Sequence, residues 1–75
     1  MSLENKVKEI IHEKLGVKPE EIEANEPLFE DSTEAVEGVV AFKQAFGIEI
    51  GANEIKPDHT FNQVIEILKS KGAAV

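Results

Sequence analysis

The apolar residues in the first fifth of the chain recur at helical spacing. They are Leu3, Val7, Ile10, Ile11 and Leu15, and charged residues fill most of the positions between them. Intervals of four, three, one and four place these side chains on one face of an α-helix. Ser2 can cap the start of this helix, and Gly16 can end it in the left-handed conformation. The pattern predicts an amphipathic helix over residues 3–15.

Residues 16–31 form a polar connection without helical periodicity. Pro19 disfavours helix at Lys18, but it can itself begin a single turn through Glu21 and Ile22. The apolar residues that can pin the connection to a core are Val17, Ile22, Leu28 and Phe29. Long loops are uncommon in small domains and are often functional. We therefore expect an ordered loop that leads into the next helix.

A second helical pattern covers residues 32–46. Its apolar residues form a broad arc: Ala35, Val36, Val39, Val40, Phe42 and Phe46. Asp31 can cap this helix, and Glu34 can reach back to the cap, which makes a capping box with Asp in place of Ser or Thr. Gly38 lowers the stability of the helix by about 1 kcal/mol relative to Ala. It either permits close approach of another group or is ordinary variation in a packed helix. Gly47 can end the helix.

The last part of the chain predicts one more helix and a loop before it. Residues 48–50 read as a short extended link, and residues 53–56 as one helical turn before Pro57. Thr60 and Gln63 form a second capping box, and Gly72 can stop the helix that follows. The residues predicted to face inward are Phe61, Val64, Ile65 and Leu68. We therefore predict an all-α fold of three main helices and one short helix in a single domain, residues 1–75.

Composition and charge exclude several classes of function. The 75 residues include no Cys, and 15 acidic residues against eight Lys give a net charge of −7. This charge repels nucleic acid and anionic membranes. It either steers the protein towards basic partners or simply keeps it soluble. There is no apolar run near the ~20 residues of a membrane helix, and no signal-peptide core. We expect a cytoplasmic protein that does not insert into membranes.

The sequence does not predict a catalytic or metal site. A nucleophilic Ser needs a positioned base, but His12 lies at the edge of an apolar stripe and His59 directly precedes a helix cap. Two His without supporting acidic ligands do not predict zinc, the acidic loop lacks the calcium-loop pattern, and no glycine-rich phosphate loop is present. We expect a protein that is not an enzyme. Ser32 remains, with a hydroxyl at an exposed helix start between carboxylates.

In their order along the chain, these features resemble the acyl carrier protein family. Residues 7–11 and 15–17 are similar to that family's opening helix. Ile22 and Phe29 stand where its first loop carries apolar anchors, and Asp31-Ser32 matches its attachment motif. Residues 36–50 are similar to the rest of its second helix and the link that follows.

The resemblance implies a small four-helix bundle, with a long first loop, in which Ser32 carries a phosphopantetheine arm through a phosphodiester and Asp31 is its motif neighbour. A carrier-protein synthase using coenzyme A and magnesium would attach the arm, whose thiol would hold acyl intermediates of fatty-acid, polyketide or related synthesis as thioesters. The residues implied to contact basic surfaces of acyl-loading and acyl-transfer enzymes are Glu34, Glu37 and Thr33. Those implied to line an interior acyl pocket are Val36, Val39, Phe42, Phe46 and Ile50. We expect a monomer.

The sequence also departs from the family pattern. The usual Gly-x-Asp-Ser-Leu motif is replaced by residues 29–33, with Thr33 in place of Leu and a shortened loop before it. Lys43, Gln44 and Ala45 replace a segment that is commonly acidic in the family. These departures favour a specialised carrier with dedicated partners. Two alternatives stay open: a carrier for an amino acid or D-alanine with the same site, and an unmodified acidic docking module that has lost the arm.

Overall fold

This computed structural model describes residues 2–73 of the chain. These residues contain three α-helices. Helix α1 spans Leu3–Leu15, α2 spans Ser32–Phe46 and α3 spans Phe61–Ser70, and a single 3-10 turn covers Pro19–Glu21. The predicted all-α class is confirmed, and α1 and α2 have the predicted bounds. Within residues 2–73 the only β-type pairing is an isolated antiparallel bridge between Pro27 and Thr60.

The first two helices begin and end at residues suited to those positions. The Ser2 hydroxyl accepts a hydrogen bond from an amide of the first turn of α1 (3.1 Å). Gly16 (φ 75°) and Gly47 (φ 65°) end α1 and α2 in the left-handed region, where other residues are strained. Both stops predicted from the sequence are therefore confirmed.

Helix α3 begins with the predicted capping box. The Gln63 amide donates to the Thr60 hydroxyl (3.2 Å), and the Thr60 amide donates to the Gln63 side-chain oxygen (2.9 Å). The helix ends at Ser70, with Lys71 as its cap, and Gly72 follows at φ 93°. None of the three α-helices described has the length and apolar character that crossing a membrane requires.

The first loop, residues 16–31, is tied by its backbone to residues 59–62, around the start of α3. The Leu28 amide donates to the His59 carbonyl (3.0 Å), the Phe61 amide to the Glu26 carbonyl (3.3 Å) and the Asn62 amide to the Ala24 carbonyl (3.1 Å). Backbone groups that would otherwise need water are thereby satisfied within the protein. These bonds fix the end of the first loop just before Ser32.

The second loop, residues 48–59, contains turns and bends but no helix, so the predicted helical turn over residues 53–56 is wrong. The Lys56 amide, which a helical turn would pair with a backbone carbonyl, is taken by a side chain, and the Gly51 amide before the turn also bonds to a side chain. The Glu54 carboxylate accepts from the Gly51 amide (2.6 Å), and Nδ1 of His59 accepts from the Lys56 amide (2.9 Å). Such local side-chain bonds compete with helix formation. The described chain therefore has three α-helices rather than four helices.

One apolar core joins the helices and both loops. Its buried members are Leu3, Val7, Ile10, Ile11, Phe29, Ala35, Val39, Ala41, Phe42, Ile50, Ile55, Phe61, Val64, Ile65 and Leu68. The inward face predicted for α3 is confirmed. The arc predicted for α2 is too broad, because Val36 and Val40 remain 43% and 47% exposed. Helix α2 therefore keeps an apolar stripe on its outer side.

Candidate functional site

Ser32 is the first residue of α2 and is exposed, as is the neighbouring Thr33. Asp31 precedes it in an extended conformation (φ −150°, ψ 176°), as expected of a residue that caps a helix. The chain therefore turns sharply at Asp31 and leaves the Ser32 hydroxyl at a solvent-facing corner.

The start of α2 is held by two hydrogen bonds to carboxylates. The Glu34 amide donates to Oδ1 of Asp31 (2.9 Å), which confirms the predicted cap. Oε1 of Glu34 accepts from the Glu30 amide (3.1 Å), one residue before the cap rather than at the Asp31 amide of a standard capping box. Both bonds place negative charge where the dipole of α2 favours it. The two carboxylates thereby fix the backbone on either side of Ser32.

The approach to Ser32 is anchored by the contact between Phe29 and Gly38. Phe29 is 2% exposed, and its ring lies directly over Gly38 in the middle of α2. A Cβ atom at Gly38 would overlap the ring, lying 2.6 Å from Cε1 of Phe29. The sequence left two interpretations of Gly38 open, and the structure shows the close approach of another group. That group is the Phe29 side chain of the first loop.

The residues predicted to line an acyl pocket separate into two groups. Val39, Phe42 and Ile50 are buried, and Phe46 is half-buried with its ring centroid 6.5 Å from that of Phe42. Val36 does not belong with them, because its side chain points outward and is 43% exposed. The apolar arc of α2 is wider than the surface that the core covers. The sequence pattern alone therefore does not show which of its residues face solvent.

Val36 instead belongs to a stripe that we call the outer face of α2: Thr33, Val36, Glu37 and Val40. Their intervals of three, one and three place them on one side of the helix, and all four are exposed. Glu37 and Thr33 are therefore accessible, as the partner prediction requires. Glu34 is half-buried and already bonds to the Glu30 amide, so part of its carboxylate serves the helix start.

A groove beside Ser32 contains residues that the sequence did not single out. Ser32, Ala35 and Val36 form one wall, and the second loop forms the other with Ala52, Asn53, Ile55, Lys56 and Pro57. Its volume is about 350 Å³. No periodicity brings residues 52–57 beside Ser32, since only the tertiary fold joins them. In the sequence, this wall of the groove is indicated only by the apolar residue Ile55, which stands between residues typical of turns.

The second loop is joined to the end of α3 by an ion pair. Nζ of Lys71 lies 2.5 Å from Oε1 of Glu54, while Oε2 of Glu54 accepts from the Gly51 amide. The Lys71 hydrogen bond, followed by the Gly51 amide, lowers the pKa of Glu54 below its ordinary value of 4.5. Glu54 is therefore a charged clamp on the loop that faces Ser32.

Both histidines bond to backbone atoms near them in the chain. Nδ1 of His12 lies 3.3 Å from the Val17 carbonyl oxygen at the end of α1, and Nδ1 of His59 accepts from the Lys56 amide. Each ring therefore serves a local structural role. Across residues 2–73 the fold brings no three His, Asp or Glu side chains into an arrangement that could hold a metal ion.

Comparison with known proteins identifies the family. The sequence model of the family described as "Phosphopantetheine attachment site" matches residues 5–68. An acyl carrier protein from Bdellovibrio bacteriovorus strain HD100 is 36% identical over 78 residues, which cover 99% of this chain and 100% of that relative. The chain belongs to the acyl carrier protein family. It is a non-catalytic carrier that holds covalent phosphopantetheine and works with a synthase and acyl-handling enzymes.

The structure offers the kind of residue that this carrier needs for its prosthetic group. A phosphodiester requires an accessible hydroxyl, and Ser32 is exposed at a fixed helix start. The acyl group requires a thiol, which the Cys-free chain lacks and which the terminal thiol of the arm supplies when attached. The Ser32 corner thus fits the chemistry of attachment.

Proposed function

We propose that this carrier bears phosphopantetheine on Ser32 and presents acyl intermediates of fatty-acid, polyketide or related synthesis to separate enzymes. The observation that carries the proposal is the position of Ser32. It is the exposed first residue of α2, held by the Asp31 cap, within the range matched by the family. Residues 1–75 act in this proposal as one carrier domain, in the cytoplasm, and as a monomer.

The residues of this chain position the attachment point and present the bound acyl group to the enzymes. Asp31 and Glu34 hold the turn, so the Ser32 oxygen stays accessible to the synthase that forms the phosphodiester. A tether at this corner raises the effective concentration of the bound acyl group at each enzyme. Because the arm moves with the carrier, no diffusion of a free intermediate is needed.

Partner enzymes are proposed to bind the outer face of α2 next to Ser32. Glu37 and Thr33 are exposed there, and the accessible part of Glu34 adds negative charge. Basic partner surfaces complement this charge, which favours rapid association and correct orientation. Val36 and Val40 supply apolar area on the same stripe, so Val36 takes a partner-facing role in place of the interior one predicted from the sequence.

The interior pocket proposed for a short acyl chain is lined by Val39, Phe42, Phe46 and Ile50. Three of them are buried within the core and Phe46 lies at its edge. An acyl chain would have to displace packed side chains, because protein cores are packed as densely as organic crystals. The proposal therefore favours short chains over long ones.

Intact mass spectrometry tests the attachment site. We expect incubation with coenzyme A, magnesium and a carrier-protein synthase to add one phosphopantetheine mass, and protein from the native host to carry the same mass. Ser32→Ala should abolish the addition, whereas Ser70→Ala, which removes an exposed hydroxyl at the end of α3, should retain it. Matching thermal unfolding curves would show that both variants are folded.

Three results would contradict the proposal. They are addition to Ser32→Ala, no addition with any of several synthases, and wholly unmodified protein from the native host. The last result, in a stable complex, would favour the unmodified docking module. An aminoacyl thioester on the native arm would keep Ser32 but replace the acyl cargo by an amino acid.

A further inference from the structure

The groove between α2 and the second loop starts at Ser32 itself. The buried Ala35 and Ile55 contribute apolar lining, while the exposed Asn53 and Lys56 lie on the loop side. Its volume of about 350 Å³ lies at the lower end of the range for small-molecule sites. Any group attached to Ser32 therefore begins at the edge of a groove with one apolar surface and two polar side chains.

Lys56 offers a positive charge to a phosphate attached at Ser32. A phosphodiester is an anion, and at Ser32 its chain neighbours include the carboxylates of Asp31 and Glu34. Lys56 is the one cation among the residues that line the groove. A Lys ammonium binds phosphate as a compact point charge and does not need a fixed bidentate geometry. The second loop therefore offers charge complementarity to an anion at this position.

Asn53 supplies the matching polar group for the rest of the arm. Its side-chain amide can both donate and accept hydrogen bonds, and phosphopantetheine contains two amide groups beyond its phosphate. The apolar residues of the lining, which include Ala35 and Ile55, suit the aliphatic part of the same arm. The lining of the groove thus offers one cation, one amide and apolar surface to an arm that contains a phosphate, amides and aliphatic groups.

We propose that the arm on Ser32 lies in this groove, with Lys56 paired to its phosphate and Asn53 hydrogen-bonded to its amides. The proposal rests on the attachment proposed above and assigns two residues to binding the arm. An exposed ion pair is weak, so we expect Lys56 to raise the ratio of bound to free arm by roughly two- to five-fold. That bias holds the thiol near the carrier while leaving it free to enter a partner enzyme.

NMR of the modified, full-length protein tests this placement. The probes are the backbone amides of residues 53 and 56, the ³¹P shift of the phosphodiester and the ¹H–¹⁵N nuclear Overhauser effects of the two ¹⁵N-labelled arm amides. We compare the wild type with Lys56→Gln and with Lys43→Gln, which removes the same charge from the last turn of α2. Both Lys side chains are exposed, so both variants are expected to fold.

We expect arm attachment to shift the amides of residues 53 and 56 and to restrict the motion of the arm amides. Lys56→Gln should reduce these effects in proportion to a two- to five-fold loss of bound arm, and Lys43→Gln should leave them unchanged. Raising the salt concentration should imitate Lys56→Gln, because the pair is exposed. Asn53→Ala should free the arm amides while leaving the ³¹P shift in place.

Two results would overturn the placement alone. In the first, the arm amides are as mobile as those of free pantetheine. In the second, the two Lys variants give equal spectra. In both cases intact mass confirms the arm on Ser32. A mass showing no arm on Ser32 would instead overturn the attachment and this placement together. The mass measurement on the same samples therefore separates the two failures.

Discussion

The two loops beside Ser32 are held in different ways. The first loop has two backbone hydrogen bonds to α3, a third to the His59 carbonyl just before it, and the fully buried Phe29 against Gly38. Apart from the buried Ile50 near its start and the His59 carbonyl at its end, the second loop has one buried residue, Ile55. It is otherwise held by turns of its own backbone and by side-chain bonds of Glu54 and His59 at its surface. Burial and backbone pairing resist local opening more than exposed polar contacts do.

This difference assigns separate tasks to the two sides of the site. The first loop fixes where the Ser32 hydroxyl stands, since its last residues are locked to both α2 and α3. The second loop forms the wall of the groove, and its exposed contacts allow it to adjust. A carrier that must offer one attachment point to several enzymes benefits from a rigid point beside an adjustable surface.

The largest expected effect comes from removing the anchor of the first loop. Phe29→Ala should lower the free energy of unfolding by about 3–5 kcal/mol, because it empties a fully packed site. That is a large part of the roughly 5–15 kcal/mol of a small domain. Urea denaturation followed by circular dichroism measures the loss, with Val40→Ala on the exposed outer face of α2 as the control. Equal losses in the two variants would contradict the anchor.

A smaller effect tests the close contact from its other side. Gly38→Ala would stabilise an ordinary exposed helix by about 1 kcal/mol, but here the methyl group overlaps the Phe29 ring. The ring is buried beside Phe42, at a centroid distance of 6.5 Å, so it cannot move aside freely. We expect a net loss of about 1–3 kcal/mol.

The double variant Gly38→Ala/Phe29→Leu identifies the cause of that loss. If overlap is responsible, the smaller side chain relieves it and the two changes cost less together than the sum of the single changes. Strict additivity in the same denaturation experiment would contradict a direct contact between these two residues.

The smallest effect concerns the clamp on the second loop. Because the pKa of Glu54 is lowered in the folded protein, the unfolded chain binds this proton more readily than the folded chain. The stabilisation is therefore present above the ordinary value of 4.5 and is lost as the pH falls through the folded pKa. Glu54→Gln should be less stable than the wild type at neutral pH and equal to it in acid.

Denaturation midpoints across a pH series measure this convergence. Glu66→Gln is the matched control, since it removes the same charge from an exposed position on α3 without an observed ion pair. A constant difference between Glu54→Gln and the wild type at every pH would contradict the charge effect. Because Glu54 is at the surface, the difference should also shrink in high salt.

Much of the fold could be predicted because its helices carry their own signals. Ser2, Gly16 and Gly47 mark helix ends by local chemistry, and Thr60 with Gln63 marks a start. The turn beginning at Pro19 was also predicted correctly. Each of these signals acts within a few residues, so it can be read without knowing the tertiary fold.

The features that could not be predicted depend on contacts between distant segments or on competing local bonds. The helical turn predicted at residues 53–56 is absent because the Lys56 amide donates to the His59 ring instead of to a backbone carbonyl. The exposure of Val36 depends on where α1 and α3 leave α2 uncovered. The approach of Lys56 to the Ser32 groove has no sequence signal, because the second loop reaches it only through packing.

The backbone bonds between the first loop and α3 also bear on how quickly the protein reaches its working form. Helices fold rapidly from local contacts, but these bonds join residues from distant parts of the chain. Such pairings require closure of a long loop and slow the folding of a small protein. Ser32 would then gain its fixed position late, after α3 has docked. A synthase that recognises this corner would modify only chains that have completed folding.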